Sequence, residues 1–150
     1  MALLPYYGRM SAFYFATAAK SAVGLVRAGN EDSALTSRSL IAVADGMGGH
    51  AAGEVASRIA ITTLLKDSKV FTDSGIDLDS ADDLYASSLS NIDQTIAAYA
   101  EEKPELSGMG TTLSALFLRD GAAVAMHVGD SRIYRLRGNT FEQLTTDHTV

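Results

Sequence analysis

The chain contains no cysteine, which excludes a disulfide framework, a thiolate metal site and a cysteine nucleophile. Any metal must therefore be held by oxygen or histidine. Only two prolines occur in 150 residues and no low-complexity tract is sustained, which argues against a disordered or fibrous polymer. Long apolar runs are also missing, and none approaches the roughly 18 uninterrupted residues that a membrane-crossing helix needs. The apolar and aromatic start, Met1 to Ala19, is broken by Pro5, Gly8 and Arg9 and lacks the basic-then-apolar order of a signal peptide. A soluble cytoplasmic protein with no membrane partner is the expectation. Basic residues are in the minority, 12 against 18 acidic, for a formal charge of -6. That field repels a polyanionic backbone, so nucleic acid is not an expected partner.

What is present is enough for a core. With 150 residues, 47% of them hydrophobic, the chain suits one domain burying roughly 70% of its unfolded surface, and it is too short for two. Ala12 to Val26 interleaves aromatic and small residues without a helical stripe and is expected to be extended. Leu40 to Ala44 is a short apolar run, a buried strand expected to stop at the turn Asp45-Gly46. Ala52, Val55, Ala56, Ile59 and Thr63 recur at helical spacing and predict a helix over Ala51 to Asp67. Tyr85, Leu89, Ile92, Ile96 and Tyr99 predict a second over Asp82 to Glu102, with acidic residues at its positive end. Between them, Ser68 to Ala81 carries Asp73, Asp77 and Asp79, but not at EF-hand spacing, and reads as a solvated loop. Thr111 to Leu118, Ala122 to Val128 and Ser131 to Arg137 are strand-like, separated by the reversal dipeptides Asp120-Gly121 and Gly129-Asp130. Helices followed by an antiparallel meander, after earlier strands, indicate an α+β layered fold.

The chemistry-bearing residues lie at element ends. Arg27 precedes Asp32 by five residues across a Gly-Asn turn; its planar fork suits phosphate oxygens, and Glu31 and Asp32 suit a divalent cation or its waters, although taken alone an exposed charged turn is the simpler reading. Asp45 leaves an apolar strand into Gly46-Met47-Gly48-Gly49-His50, where the carboxylate can hold divalent cations and a glycine lets a backbone carbonyl reach the same metal, with an ordinary turn as the equal alternative. That bend matches neither a phosphate-binding P-loop nor a dinucleotide fingerprint. His50 alone reads as a polar contact. Asp130 sits at the expected hairpin reversal after His127-Val128-Gly129, where paired strands could aim it at a central site, although an ordinary turn aspartate is the simpler reading. His127 and Ser131 lack evidence of triad geometry. Gly108 to Thr112 reads as a flexible strand entry whose hydroxyls could orient solvent or a carboxylate, and Asp147 and His148 read as a local polar contact.

Taken in order, Arg27 to Asp32, Val43 to Glu54, Gly108 to Thr112 and Val128 to Arg132 resemble the PPM family, the PP2C-type metal-dependent serine/threonine phosphatases. Asp45-Gly46-Met47-Gly48-Gly49-His50-Ala51-Ala52-Gly53-Glu54 and Leu144-Thr145-Thr146-Asp147-His148 resemble its bacterial branch. The resemblance covers residues 18 to 150, leaving 1 to 17 as an N-terminal extension. It implies a PP2C-like sandwich of two antiparallel sheets flanked by helices, incomplete at the C-terminus, with a two-metal site at one end.

The resemblance further implies Mn2+ or Mg2+, two ions and possibly a third in a complete domain. Asp45 would bridge the cations, the Gly46 carbonyl would complete one site, Glu31 or Asp32 would ligate or position waters, and Asp130 would serve a weaker additional site. Arg27 would hold the substrate phosphate. The implied reaction is hydrolysis of phosphoserine or phosphothreonine in proteins by a metal-activated water, without a phosphoenzyme. Phosphorylated proteins, and a serine/threonine kinase with its substrates, are the implied partners. Met47 stands where some relatives place a histidine, so a dedicated side-chain acid is not carried over. The family pattern supplies two further aspartates beyond Val150. The isolated chain is therefore expected to show weak metal occupancy and reduced turnover, with a noncatalytic phosphoprotein-binding module or a nonfunctional fragment as the alternatives.

Overall fold

The structure, a computed structural model, describes residues 13–25, 29–48, 51–71, 81–119 and 121–148. Arg27, His50, Asp120 and the aspartates of 73–79 lie outside them. The described elements are β1 (Asp32–Thr36), β2 (Leu40–Met47), α1 (Ala51–Phe71), α2 (Ala81–Glu102), a single 3-10 turn at Pro104–Leu106, β3 (Gly110–Thr111), β4 (Leu113–Arg119), β5 (Ala122–Val128), β6 (Tyr134–Arg137) and β7 (Thr140–Gln143). They form an α+β fold with two antiparallel sheets. The larger has the order β1-β2-β4-β5, with β3 also paired to β2, and the smaller is the β6-β7 ribbon.

Alternation along β2 and β4 decides where the core lies. Leu40, Ala42 and Ala44 of β2, with Leu113, Ala115 and Phe117 of β4, are buried against Ala60 and Leu64 of α1 and Ile92 of α2. Helices thus cover one face of the large sheet. On the other face, Val43 remains half exposed. Phe71, Tyr85 and Phe117 close the core's far end, with ring centroids 5.0 to 5.3 Å apart. This aromatic cluster explains why α1 continues four residues past its expected end at Asp67: Phe71 is buried and needs the helix to deliver it.

Other boundaries also moved. Residues 13–25 form no strand; they are joined to the rest of the fold by the Phe15 N–H donated to the Arg38 carbonyl and by the Ser21 hydroxyl donated to Asp32 of β1. β1 was not expected at all, because its five residues are too short and too polar to show a period. β2 does not stop at Ala44 but runs through Asp45 and Gly46, which pair with Asp32 and Thr111. A turn there is therefore corrected to strand. β5 returns along β4 as expected, with Arg119 paired to Ala122; of the expected reversal dipeptide, Asp120 lies outside the described residues and Gly121 has φ of +81°. The Gly129-Asp130 hairpin does not form: β6 pairs with β7 rather than returning along β5, and residues 131–133 belong to no strand. Asp130 is thus exposed on a loop, not gripped between paired strands.

Candidate metal edge of the sheet

One end of the large sheet gathers the acidic residues. Asp32 and Asp45 are cross-strand partners in β1 and β2, so their side chains leave the same face, the one opposite the helices. Directly opposed like charges destabilise a strand pair unless something positive intervenes. Ser21 donates to Asp32 Oδ2 at 3.3 Å, and the Asp32 N–H is donated to Asn30 Oδ1 at 2.9 Å, which closes the turn before β1. Glu31 is one residue out of phase and goes the other way. Its Oε2 lies where a Cβ on Gly53 would be, 2.0 Å away, placing its carboxylate beside the first turn of α1 and its positive dipole end.

Gly46 is what allows this edge to form. A Cβ there would lie 2.0 Å from the Gly53 carbonyl oxygen and 2.7 Å from that of Glu31. The glycine serves close packing of helix on strand. The Gly46 N–H is donated to the Glu31 carbonyl at 3.2 Å. Sequence reading left Glu31 and Asp32 as equal candidates; the strand register puts Asp32, not Glu31, on the face of Asp45.

Asp45 is held on its other side by two threonines. The Thr112 N–H is donated to the Asp45 carbonyl at 2.9 Å, the Asp45 N–H to Thr112 Oγ1 at 3.1 Å, and the Thr111 hydroxyl to the same carbonyl at 3.0 Å. Thr112 Oγ1 lies 2.7 Å from Ser131 Oγ, next to Asp130. Ser114 donates to the Ser131 carbonyl at 2.9 Å. With its proton so used, the Ser114 oxygen accepts from His127 Nδ1–H at 3.0 Å, which assigns the tautomer and leaves buried Nε2 without a hydrogen-bond partner among the described residues. Ser114 is therefore no nucleophile activated by His127, and Ser131 bonds Thr112 instead. This hydroxyl network was read from sequence as a mere strand entry. Only the Gly-Thr-Thr run hinted at it.

Asp147 and His148 are also tied to this end. Arg132 grips Asp147 with its Nε and Nη2 on both carboxylate oxygens, the shortest contact being 2.6 Å. That hydrogen-bonded pair pulls the Asp147 carboxyl below its ordinary value and raises the Arg132 guanidinium. The His148 N–H is donated to the Gly129 carbonyl, and its ring lies 5.2 Å from that of His127.

As a donor set, opposed aspartates and a nearby glycine carbonyl fit a hard divalent cation. The fit is incomplete: among the described residues, no three acidic or histidine side chains converge to enclose an ion. Among the same residues, no helix is long and apolar enough to cross a membrane.

A Protein phosphatase 2C family model matches residues 28–150. The serine/threonine protein phosphatase PstP of Mycobacterium tuberculosis is 46% identical over 134 residues, covering 88% of this chain and 25% of that protein. The serine/threonine phosphatase stp of Listeria welshimeri is 38% identical over 132 residues, covering 85% and 52%. A crystal structure of the PstP catalytic domain in complex with two manganese ions superposes with a TM-score of 0.76 at 44% identity, over 87% of this chain and 54% of that one. The chain thus spans a quarter to about half of the relatives it matches. With the family pattern continuous from residue 28 and the strands and helices superposing at this identity, the chain belongs to the protein phosphatase 2C family.

Proposed function

We propose that this chain is the N-terminal portion, residues 18–150, of a metal-dependent phosphatase domain that hydrolyses phosphoserine and phosphothreonine in proteins, preceded by an extension over 1–17. The observation that carries the reading is the register Asp32↔Asp45: two carboxylates opposed on one open sheet face are stabilised by a cation between or beside them. The chemistry supplied by a divalent cation held there, Mn2+ or Mg2+, is Lewis-acid activation of water and neutralisation of phosphate charge. The manganese of the PstP structure supports the choice of metal.

In this reading Asp45 and Asp32 present oxygen ligands, with the Gly46 carbonyl beside them. Glu31, at the start of α1, orients from the opposite side of the strand, and Asp130 supplies a further carboxylate from its loop. Arg27 orients the substrate phosphate through its guanidinium fork. Substrates are phosphorylated proteins in the cytoplasm, with the kinases that phosphorylate them as functional counterparts. The incomplete convergence of acidic groups among the described residues favours a second reading, a noncatalytic module that binds phosphoprotein.

Manganese titration of the 150-residue chain, followed calorimetrically and by phosphate release from a phosphothreonine peptide, tests both. Weak Mn2+ binding, abolished by Asp45→Asn, with slow metal-dependent hydrolysis is expected. Phosphopeptide binding without any hydrolysis would select the second reading. Mn2+ binding unchanged by both Asp45→Asn and Asp32→Asn would overturn the metal assignment.

A further inference from the structure

We propose that Thr112 is a positioning residue whose hydroxyl fixes the strand carrying Asp45 against the loop carrying Asp130, and so sets the spacing of two carboxylates of the metal edge. The inference deepens the reading above and rests on it.

Thr112 occupies the one-residue gap between β3 and β4, where the ladder breaks and the side chain is used in place of a second backbone partner. Its N–H and Oγ1 both engage the backbone of Asp45, at 2.9 and 3.1 Å. A residue bonded at both its N–H and its carbonyl has little freedom left at φ and ψ, so the position from which the Asp45 side chain leaves the strand follows the placement of Thr112. The same Oγ1 lies 2.7 Å from Ser131 Oγ. On the methyl side, Gly129 approaches so closely that a Cβ would lie 2.7 Å from Thr112 Cγ2. Gly129 also has φ of +100°, a conformation that glycine alone adopts without strain. Asp130 is thus bracketed by two residues, Gly129 and Ser131, that both rest on Thr112. The Ser114 bond to the Ser131 carbonyl holds the far side of that loop.

Partners that orient metal ligands typically change affinity by 10- to 100-fold when removed. A purely structural role predicts something different, because the methyl and the hydroxyl of Thr112 face different neighbours. Thr112→Val keeps the shape and deletes the hydroxyl, whereas Thr112→Ser keeps the hydroxyl and deletes the methyl that packs on Gly129.

The test is Mn2+ affinity of the 150-residue chain by electron paramagnetic resonance, with the melting temperature of the metal-free protein measured alongside. Thr112→Val is expected to weaken Mn2+ by about 10-fold, and Thr112→Ser to stay within about 3-fold of the parent. Ser131→Ala, which removes the other half of the hydroxyl pair, is expected to weaken binding too, and less than additively with Thr112→Val. It also carries the test if Thr112→Val does not fold. Parent-like affinity in Thr112→Val, or in Ser131→Ala where the first variant is unfolded, would overturn the inference. So would a loss in Thr112→Ser equal to that in Thr112→Val. A parent chain whose Mn2+ binding is insensitive to Asp45→Asn would reject the metal reading and this inference with it, a result distinct from a sensitive Asp45 and an indifferent Thr112.

Discussion

Gly46 shows how much a single missing side chain carries. The 2.0 Å from its notional Cβ to the Gly53 carbonyl oxygen is backbone against backbone, which no rotamer change relieves. Gly46→Ala must therefore push the first turn of α1 off β2, disturbing Asp45 and Glu31 together. A loss of about 2 to 4 kcal/mol in urea unfolding is expected, at the upper end of single-residue effects. Asp147 gives a pH signature at the same scale. Its carboxyl is held below the ordinary 3.8, first by its hydrogen bond with Arg132. A group depressed in the folded state adds stability that is fully present above the unfolded value and disappears as pH falls through the lower folded value. Carboxyl NMR is expected to show Asp147 titrating below 3.8, and Arg132→Ala to bring the midpoint back toward it. The pair is exposed, so its effect on overall stability at neutral pH is small.

Among the elements, the contact of α1 and α2 with β4 through Phe71, Tyr85 and Phe117 is the clearest case of tertiary demand exceeding local pattern. Helical spacing ended at Thr63 and suggested a stop near Asp67, yet three edge-to-face and stacked ring pairs reward another turn, each worth about 0.5 to 1.5 kcal/mol beyond its area. Tyr85 is 6% exposed, and its hydroxyl has no hydrogen-bond partner among the described residues. Removing a buried unsatisfied oxygen while keeping the ring relieves a desolvation cost. Tyr85→Phe is expected to leave stability unchanged or raise it by about 1 kcal/mol, while Tyr85→Ala loses about 3 to 5 kcal/mol. Thermal and urea unfolding of the two variants would separate ring from hydroxyl. A short strand such as β1 illustrates the opposite limit. Its alternation is legible only once the partner strand is known, because Asp32, Ala34 and Thr36 face away from the helices and show no apolar stripe.

For the whole molecule, the uneven covering of the large sheet is the dominant feature. Helices bury one face; the other borders a cavity of about 590 Å3 bounded by residues including Ala34, Val43, Leu116 and Ile133. Leu136 and Phe141 of the ribbon add side chains 69% and 67% exposed. Apolar side chains left open to solvent in this way are where an apolar dye binds. The 150-residue chain is expected to bind the dye ANS under native conditions while still melting cooperatively, and Leu136→Ser with Phe141→Ser to reduce that fluorescence. Dye binding no greater than that of a compact control protein would contradict this.

Composition, apolar patterning and turn dipeptides determined the α+β class, both helices, the buried β2 and β4 strands and the return of β5 along β4, because each depends on a signal carried by residues near one another in the chain. Ordered motifs also marked Asp45, Asp32 and Asp130 as candidates. What they could not reach was which carboxylate shares a face with Asp45, since a one-residue change of register exchanges Asp32 for Glu31. Nor did local sequence show that Asp45-Gly46 continues a strand, that Gly129-Asp130 is not a hairpin, or that Thr112 bonds both the strand of Asp45 and Ser131 beside Asp130. Those features arise from pairings between residues up to 67 positions apart, and such contacts exist only after the chain has folded.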